Sequence, residues 1–132
     1  MPQVTGRIIG LPHQREPMIN LGLRAPGFGA RLPGTTVRVV LIDSGFDDTL
    51  ILPAKAIQPL VAFLPSLHKR RVYFSELEWE WYDSYRVEVF WMGRWEEHEI
   101  YVHADATPMI GMHFLEGCLI DFRAGKVGIT RP

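Results

Sequence analysis

The stretch Val39–Pro53, VVLIDSGFDDTLILP, places a carboxylate where it is costly. An apolar run leads directly to Asp43, and Ser44 and Gly45 follow at once. A carboxylate at the end of a buried strand loses much of its hydration, which is unfavourable unless another group pairs with it. The pattern therefore indicates either a paired carboxylate that does chemistry or an aspartate that caps a turn after the strand.

Two histidines raise the question of a metal site. His98 and His103 lie close in the sequence to several acidic residues. Positions 98 and 103 differ by an odd number, so on one regular strand their side chains point to opposite faces. We expect both to be exposed polar strand positions, and we predict no metal.

Tryptophans form a second group of candidates for binding. Four are present, at positions 79, 81, 91 and 95. Their expected role is core or dimer contact, because aromatic side chains bury large areas. A stacking platform for bases or sugars is the alternative.

The elements that position Asp43 are predicted to be mainly β-strands. Short β-branched and aromatic runs alternate with Gly and Pro clusters, as is typical of all-β proteins. Residues 35–43 form a strand that becomes buried on both faces toward Asp43. Residues 71–104 form a meander with a turn at Met92-Gly93. Residues 54–64 have the three- and four-residue apolar spacing of a helix, although Pro59 lies in its middle.

Composition predicts one globular domain over residues 1–132. The chain is 47% hydrophobic and 22% charged, which is enough to build a core. Its net charge of −1 argues against a nucleic-acid partner. The single Cys118 is expected to be a small buried hydrophobe. Without a membrane-spanning run or a signal-like N-terminus, we expect a cytoplasmic protein that does not bind membranes.

Two motifs resemble those of the retropepsin-like aspartic proteases. Asp43-Ser44-Gly45 is similar to their Asp-Thr/Ser-Gly triplet, and the following Asp47-Asp48-Thr49 continues in the same manner. Met109-Ile110-Gly111 is similar to their apolar-apolar-Gly motif, and the subsequent MHFLEG resembles their closing short helix. The resemblance extends from Val4 to Ile129 and is strongest to the small, single-domain bacterial type. It implies an all-β fold, a closed barrel with one or two short helices, and a homodimer.

The resemblance also implies a mechanism. Only one such triplet is present, so a complete site requires Asp43 from two chains related by a two-fold axis. Two carboxylates held close together share a proton, which supplies a base to activate water and an acid to bind the scissile carbonyl. Ser44 then ties the two loops together, and Gly45 lets the backbone approach the pair. Peptides or proteins are the implied substrates, and neither a metal nor another cofactor is needed.

The remaining site residues follow from the same resemblance. Substrate contacts or support of the loop are implied for Phe46, Asp47, Asp48, Met109, Ile110 and Gly111. A flap hairpin covers the substrate in this family, and its tip is predicted at Ser75-Glu76-Leu77. This tip contains no glycine. The difference favours an alternative, namely a catalytically inactive dimeric β module that binds a peptide or a protein partner. A weaker third possibility is an unrelated β-barrel binding module in which the triplet occurs by chance.

Overall fold

The computed structural model describes residues 3–9, 16–41, 48–65, 68–73 and 75–132. These residues form ten strands in one sheet and one short α-helix, α1 (Met112–Leu115). The strands are β1 (Gln3–Ile9), β2 (Glu16–Arg24), β3 (Thr35–Leu41), β4 (Leu50–Pro53), β5 (His68–Tyr73), β6 (Trp79–Trp91), β7 (Arg94–His103), β8 (Met109–Ile110), β9 (Leu119–Arg123) and β10 (Lys126–Thr130). The all-β prediction is therefore confirmed.

The sheet is open, which corrects the prediction of a closed barrel. Its strand order is β5-β6-β7-β4-β8-β3-β2-β1-β10-β9, so β5 and β9 form its two edges. The sheet folds back on itself where Leu23 and Arg24 of β2 pair with Val89 and Glu88 of β6. That contact covers two residue pairs, and β1, β10 and β9 extend beyond it as a separate flank.

Two hairpins have two-residue turns, the first of them at the predicted position. Met92 and Gly93, between β6 and β7, both have positive φ, of 52° and 85°. This conformation matches the twist of a two-residue hairpin loop, and glycine adopts it without steric cost. Ala124 and Gly125 join β9 and β10 in the same way, with φ of 48° and 76°.

The helix predicted over residues 54–64 is not continuous. Two short 3-10 helices, Ala54–Ile57 and Val61–Phe63, occupy the segment, with a turn between them. The hydrogen bonds join residues three apart, as from Leu60 N–H to the Ile57 carbonyl at 2.8 Å. Pro59 accounts for the break because it has no N–H to donate and its ring disfavours an α-helical turn before it.

The main hydrophobic core lies between the folded halves of the sheet and α1. Its largest fully buried side chains include Trp91 and Phe114, whose rings meet edge to face at 5.3 Å between centroids. Cys118 packs against this core, half-buried, and its thiol donates to the Phe114 carbonyl at 3.4 Å. A second cluster of buried residues consists of Ile51, Val72, Tyr82 and Tyr101. This second cluster joins the β5–β6 hairpin to β4 and β7, next to β8.

Candidate active site

The apolar-apolar-Gly motif lies beside the strand that leads to Asp43. Within β8, Met109 pairs with Val40 and Ile110 with Leu41, in the parallel direction. On its other side, β8 pairs antiparallel with β4. In the sequence, β4 follows residues 42–47, which contain Asp43-Ser44-Gly45 and are called the triplet segment. The short strand β8, which carries the apolar-apolar-Gly motif, therefore lies between β3 and β4, the described strands before and after the Asp43 segment.

Five of the predicted site residues, Asp43, Ser44, Gly45, Phe46 and Asp47, lie outside the described residues. The described structure ends at Leu41 on one side of this segment and resumes at Asp48 on the other. Leu41 pairs with Ile110 of β8. Asp48 is tied to the chain just after β8, because its carbonyl accepts a hydrogen bond from the His113 N–H at 3.3 Å. Both ends of the triplet segment thus lie next to the Gly111 end of β8.

Asp48 holds the start of β4 in place. Its carboxylate accepts one hydrogen bond from the Thr49 N–H at 3.0 Å and a second from the Tyr101 hydroxyl at 2.7 Å. Thr49 is itself buried, and its hydroxyl donates to the Glu99 carbonyl. The Asp48 carboxylate therefore connects the end of the triplet segment to β7, which is a bracing arrangement.

Tyr101 is a site residue that the sequence does not single out. Burial raises the pKa of its hydroxyl above the usual value of 10.0, and the hydrogen bond to the Asp48 carboxylate and the charges of Asp48 and Glu99 raise it further. The hydroxyl thus stays protonated and donates to Asp48 over the whole neutral range. Tyr101 lies in an apolar run of β7 between Ile100 and Val102, so only its tertiary contact reveals the role.

The three residues of the apolar-apolar-Gly motif have different environments. Met109 is half-buried and packs against the second cluster, whereas Ile110 is 1% exposed within the main core. Gly111 is buried, and its N–H donates to the Thr49 carbonyl at 2.7 Å. The Gly111 backbone thus bonds to the residue after Asp48, Met109 contacts the second cluster, and Ile110 fixes β8 to the core.

Ser75, Glu76 and Leu77 lie in the bend that joins β5 to β6, where the sequence places the flap tip. The Glu78 N–H donates to the Ser75 hydroxyl at 3.2 Å, and Leu77 is 92% exposed. On one face of the hairpin, Val72 and Tyr82 are buried in the second cluster. The strands of the hairpin are therefore packed against the same cluster as Met109, and its tip projects into solvent.

The other face of the hairpin is aromatic and exposed. Trp79 and Trp81 meet edge to face at 5.5 Å between centroids, and the Arg71 guanidinium lies 4.6 Å from the Trp79 ring. Trp79 is 40% exposed and Trp81 52% exposed. Of the four tryptophans, Trp91 is the one fully buried in the core. Trp79 and Trp81 therefore lie outside the core, and dimer contact stays the prediction for them.

The histidines considered for metal binding lie apart from one another. His98 packs against the Phe114 ring at 4.6 Å, and His103 against the Tyr82 ring at 5.1 Å. His98 is partly buried, so the prediction of an exposed position is wrong for it. Nowhere in the described ranges do three His, Cys, Asp or Glu side chains come together in a way that suits a metal ion.

Within the described part of the chain, no helix is both long and apolar enough to cross a membrane. Comparisons of the sequence and the structure with family models, curated proteins and solved structures found no match.

Proposed function

We propose that this protein is an aspartic endopeptidase of retropepsin-like fold, active as a homodimer with one Asp43 from each chain. The observation that carries the proposal is the position of β8 between the strands on either side of the Asp43 segment. It supports the idea that the Asp-Ser-Gly triplet and the apolar-apolar-Gly motif form one site. A chance triplet in an unrelated β protein has no reason to lie between two strands that both pair with this second motif.

The anchoring of the segment supports a catalytic role. A reactive carboxylate must be held within a fraction of an ångström, and this requires neighbours that are themselves fixed by hydrogen bonds. Asp48, Thr49 and Gly111 supply such a frame on the β4 side through the bonds to Tyr101 and to the chain after β8. Tyr101 and Asp48 are positioning residues in this proposal.

The β5–β6 hairpin is the proposed flap. Its strands share the second cluster with Met109, so a substrate lying over β8 would have the hairpin beside it. Exclusion of water by such a cover strengthens electrostatic interactions in the site. The exposed Leu77 at the tip is then the side chain that reaches the substrate or the partner chain's flap.

The chemistry uses two carboxylates and water. The ionised Asp43 takes a proton from a water molecule held between the two carboxyl groups, and the protonated Asp43 donates a hydrogen bond to the scissile carbonyl. Water adds to the carbonyl carbon and gives a tetrahedral diol, which collapses as the amide nitrogen is protonated and leaves. Because the two carboxyl groups titrate as a pair, activity should be highest where the pair holds one proton and should fall toward neutral pH.

Peptide cleavage tests this proposal directly. Purified protein is incubated with a mixed peptide library at several values between about pH 4 and about pH 7, a range set by the acidic dyads of known aspartic proteases. Asp43→Asn removes the titratable group, and Asp121→Asn on the exposed strand β9 is the matched control. We expect cleavage by the wild type and by Asp121→Asn, and a loss of at least about a thousandfold in Asp43→Asn.

The mass in solution gives an independent criterion. Sedimentation should show a dimer for the wild type and for Asp43→Asn. A monomer, or equal cleavage by the wild type and Asp43→Asn, contradicts the proposal.

A second function is favoured by the hairpin itself. The glycine-free tip Ser75-Glu76-Leu77 and the exposed Trp79 and Trp81 suit a dimeric module that binds a peptide or a protein without cutting it. Dimers that bind peptides from the library but leave them intact would support this second function.

A further inference from the structure

A cavity of about 570 Å³ lies on the sheet face opposite the core, where β1, β2, β3 and β10 run side by side. Alternate residues on these strands, such as Ile19, Val39 and Val127, point into the core. Their neighbours point into the cavity. The side chains that line it include those of Thr5, Arg7, Met18, Asn20, Arg38 and Lys126.

Three of these side chains are cationic, and none of the described residues that line the cavity carries a carboxylate. Arg7, Arg38 and Lys126 make no ion pair with any side chain in the described ranges. Most other Lys and Arg side chains in the described ranges do make an ion pair. Arg24, for example, lies 2.6 Å from the Glu88 carboxylate. The cavity therefore concentrates positive charge that the described protein does not neutralise.

The strand register makes this concentration of positive charge unfavourable when no ligand is bound. Arg7 is directly opposite Lys126 across β1 and β10, and Lys126 is directly opposite Arg123 across β10 and β9. Like charges in facing positions of a sheet destabilise it. Arg123 has a carboxylate partner, Asp121, at 2.9 Å. For Arg7 and Lys126, an anion in the cavity would supply the missing counter-charge.

We propose that this cavity binds a small anionic ligand that carries at least two phosphate groups. The arginine guanidinium has a planar set of donors that matches phosphate oxygens. Arg38 lies on β3, two strands from Arg7 on β1. At about 4.8 Å per strand this is roughly 10 Å, so two separate phosphates suit the cations better than one.

The volume of the cavity and its uncharged lining residues suit a ligand of this class. The volume falls within the range of about 300 to 1,000 Å³ that is typical of small-molecule sites. The Thr5 hydroxyl and the Asn20 amide add hydrogen-bonding groups, and Met18 adds an apolar contact. The proposal does not depend on protease activity, since none of these residues belongs to the candidate active site.

Calorimetric titration with pyrophosphate at low ionic strength tests the proposal. Arg7→Gln, Arg38→Gln and Lys126→Gln each remove one charge from the cavity. Lys55→Gln is the matched control, because Lys55 is exposed, lies away from the cavity and makes no ion pair in the described structure. We expect saturable binding to the wild type and to Lys55→Gln, and roughly tenfold or greater weakening in each cavity variant.

Orthophosphate and citrate distinguish phosphate recognition from simple charge attraction. Pyrophosphate should bind more tightly than either and should raise the melting temperature of the wild type more than that of the cavity variants. The proposal is overturned if pyrophosphate shows no saturable binding, if citrate binds equally well, or if Lys55→Gln weakens binding as much as the cavity variants do.

Discussion

Replacement of Tyr101 by Phe tests whether the Asp48–Tyr101 contact holds the end of the triplet segment. The variant removes one 2.7 Å hydrogen bond from a side chain that is 8% exposed and keeps the ring against Ile51, Val72 and Tyr82. A hydrogen bond to a charged group contributes about 1.5 to 3 kcal/mol. We therefore expect Tyr101→Phe to lower the free energy of unfolding by about that amount near neutral pH.

The pH dependence of this difference has a definite sign. Burial and Asp48 raise the pKa of Tyr101 in the folded state above its unfolded value of 10.0. A raised pKa means that the folded protein holds this proton more tightly than the unfolded chain does. The contribution is therefore complete below about pH 10 and is lost as the pH rises above it. The stability of the wild type should then approach that of Tyr101→Phe.

Urea denaturation at a series of pH values between about 7 and about 11 measures both effects. Tyr73→Phe is the matched control, since Tyr73 is 51% exposed, and we expect it to change stability by less than about 0.5 kcal/mol. If Tyr101→Phe is no more destabilising than Tyr73→Phe, the bond does not hold Asp48. A difference that persists unchanged above about pH 10 would also contradict the assignment.

Two further pairs of variants probe the packing of the fold. Phe114→Ala should lower the free energy of unfolding by about 3 to 5 kcal/mol because the ring is 1% exposed, whereas Phe122→Ala, with a ring 55% exposed on the edge strand, should cost less than about 1 kcal/mol. Gly6→Ala should lower the free energy of unfolding by about 1 to 3 kcal/mol, because the added Cβ would overlap the Met18 carbonyl. In Gly128→Ala the added Cβ meets only the movable side chain of Gln3, so stability should change by less than about 0.5 kcal/mol. Denaturant midpoints check both pairs, and equal costs within either pair would refute the packing assigned to it.

Local chemistry explains what could be predicted about the fold. The alternation of apolar and polar residues predicts the strands, and Met92-Gly93 predicts its own hairpin, because both depend on residues adjacent in the chain. Residues 54–64 show the limit of such patterns. Their apolar spacing fits a helix, yet a single missing N–H at Pro59 divides the segment into two 3-10 helices.

Whether the sheet closes into a barrel could not be predicted from local sequence patterns. Whether a sheet closes depends on which distant strands pair and for how long, and β2 and β6 pair over only two residue positions. Within the described residues, β5 pairs only with β6 and β9 only with β10, so both remain edges of the sheet.

Part of the candidate site could also be predicted from the sequence, and part could not. The sequence alone indicates a costly carboxylate at Asp43 and a second motif at Met109-Ile110-Gly111, because residue type and order suffice to identify both. Only the tertiary structure places β8 beside the strand before Asp43 and pairs Tyr101 with Asp48.

The cationic cavity was decided by tertiary structure alone. Arg7, Arg38 and Lys126 are unremarkable at three distant positions of a chain whose net charge is −1. Strand pairing brings them to one face, where their charges add and no described carboxylate neutralises them. Sequence patterns report what neighbouring residues do to one another, whereas charge and hydrogen bonding act between residues that only the fold makes neighbours.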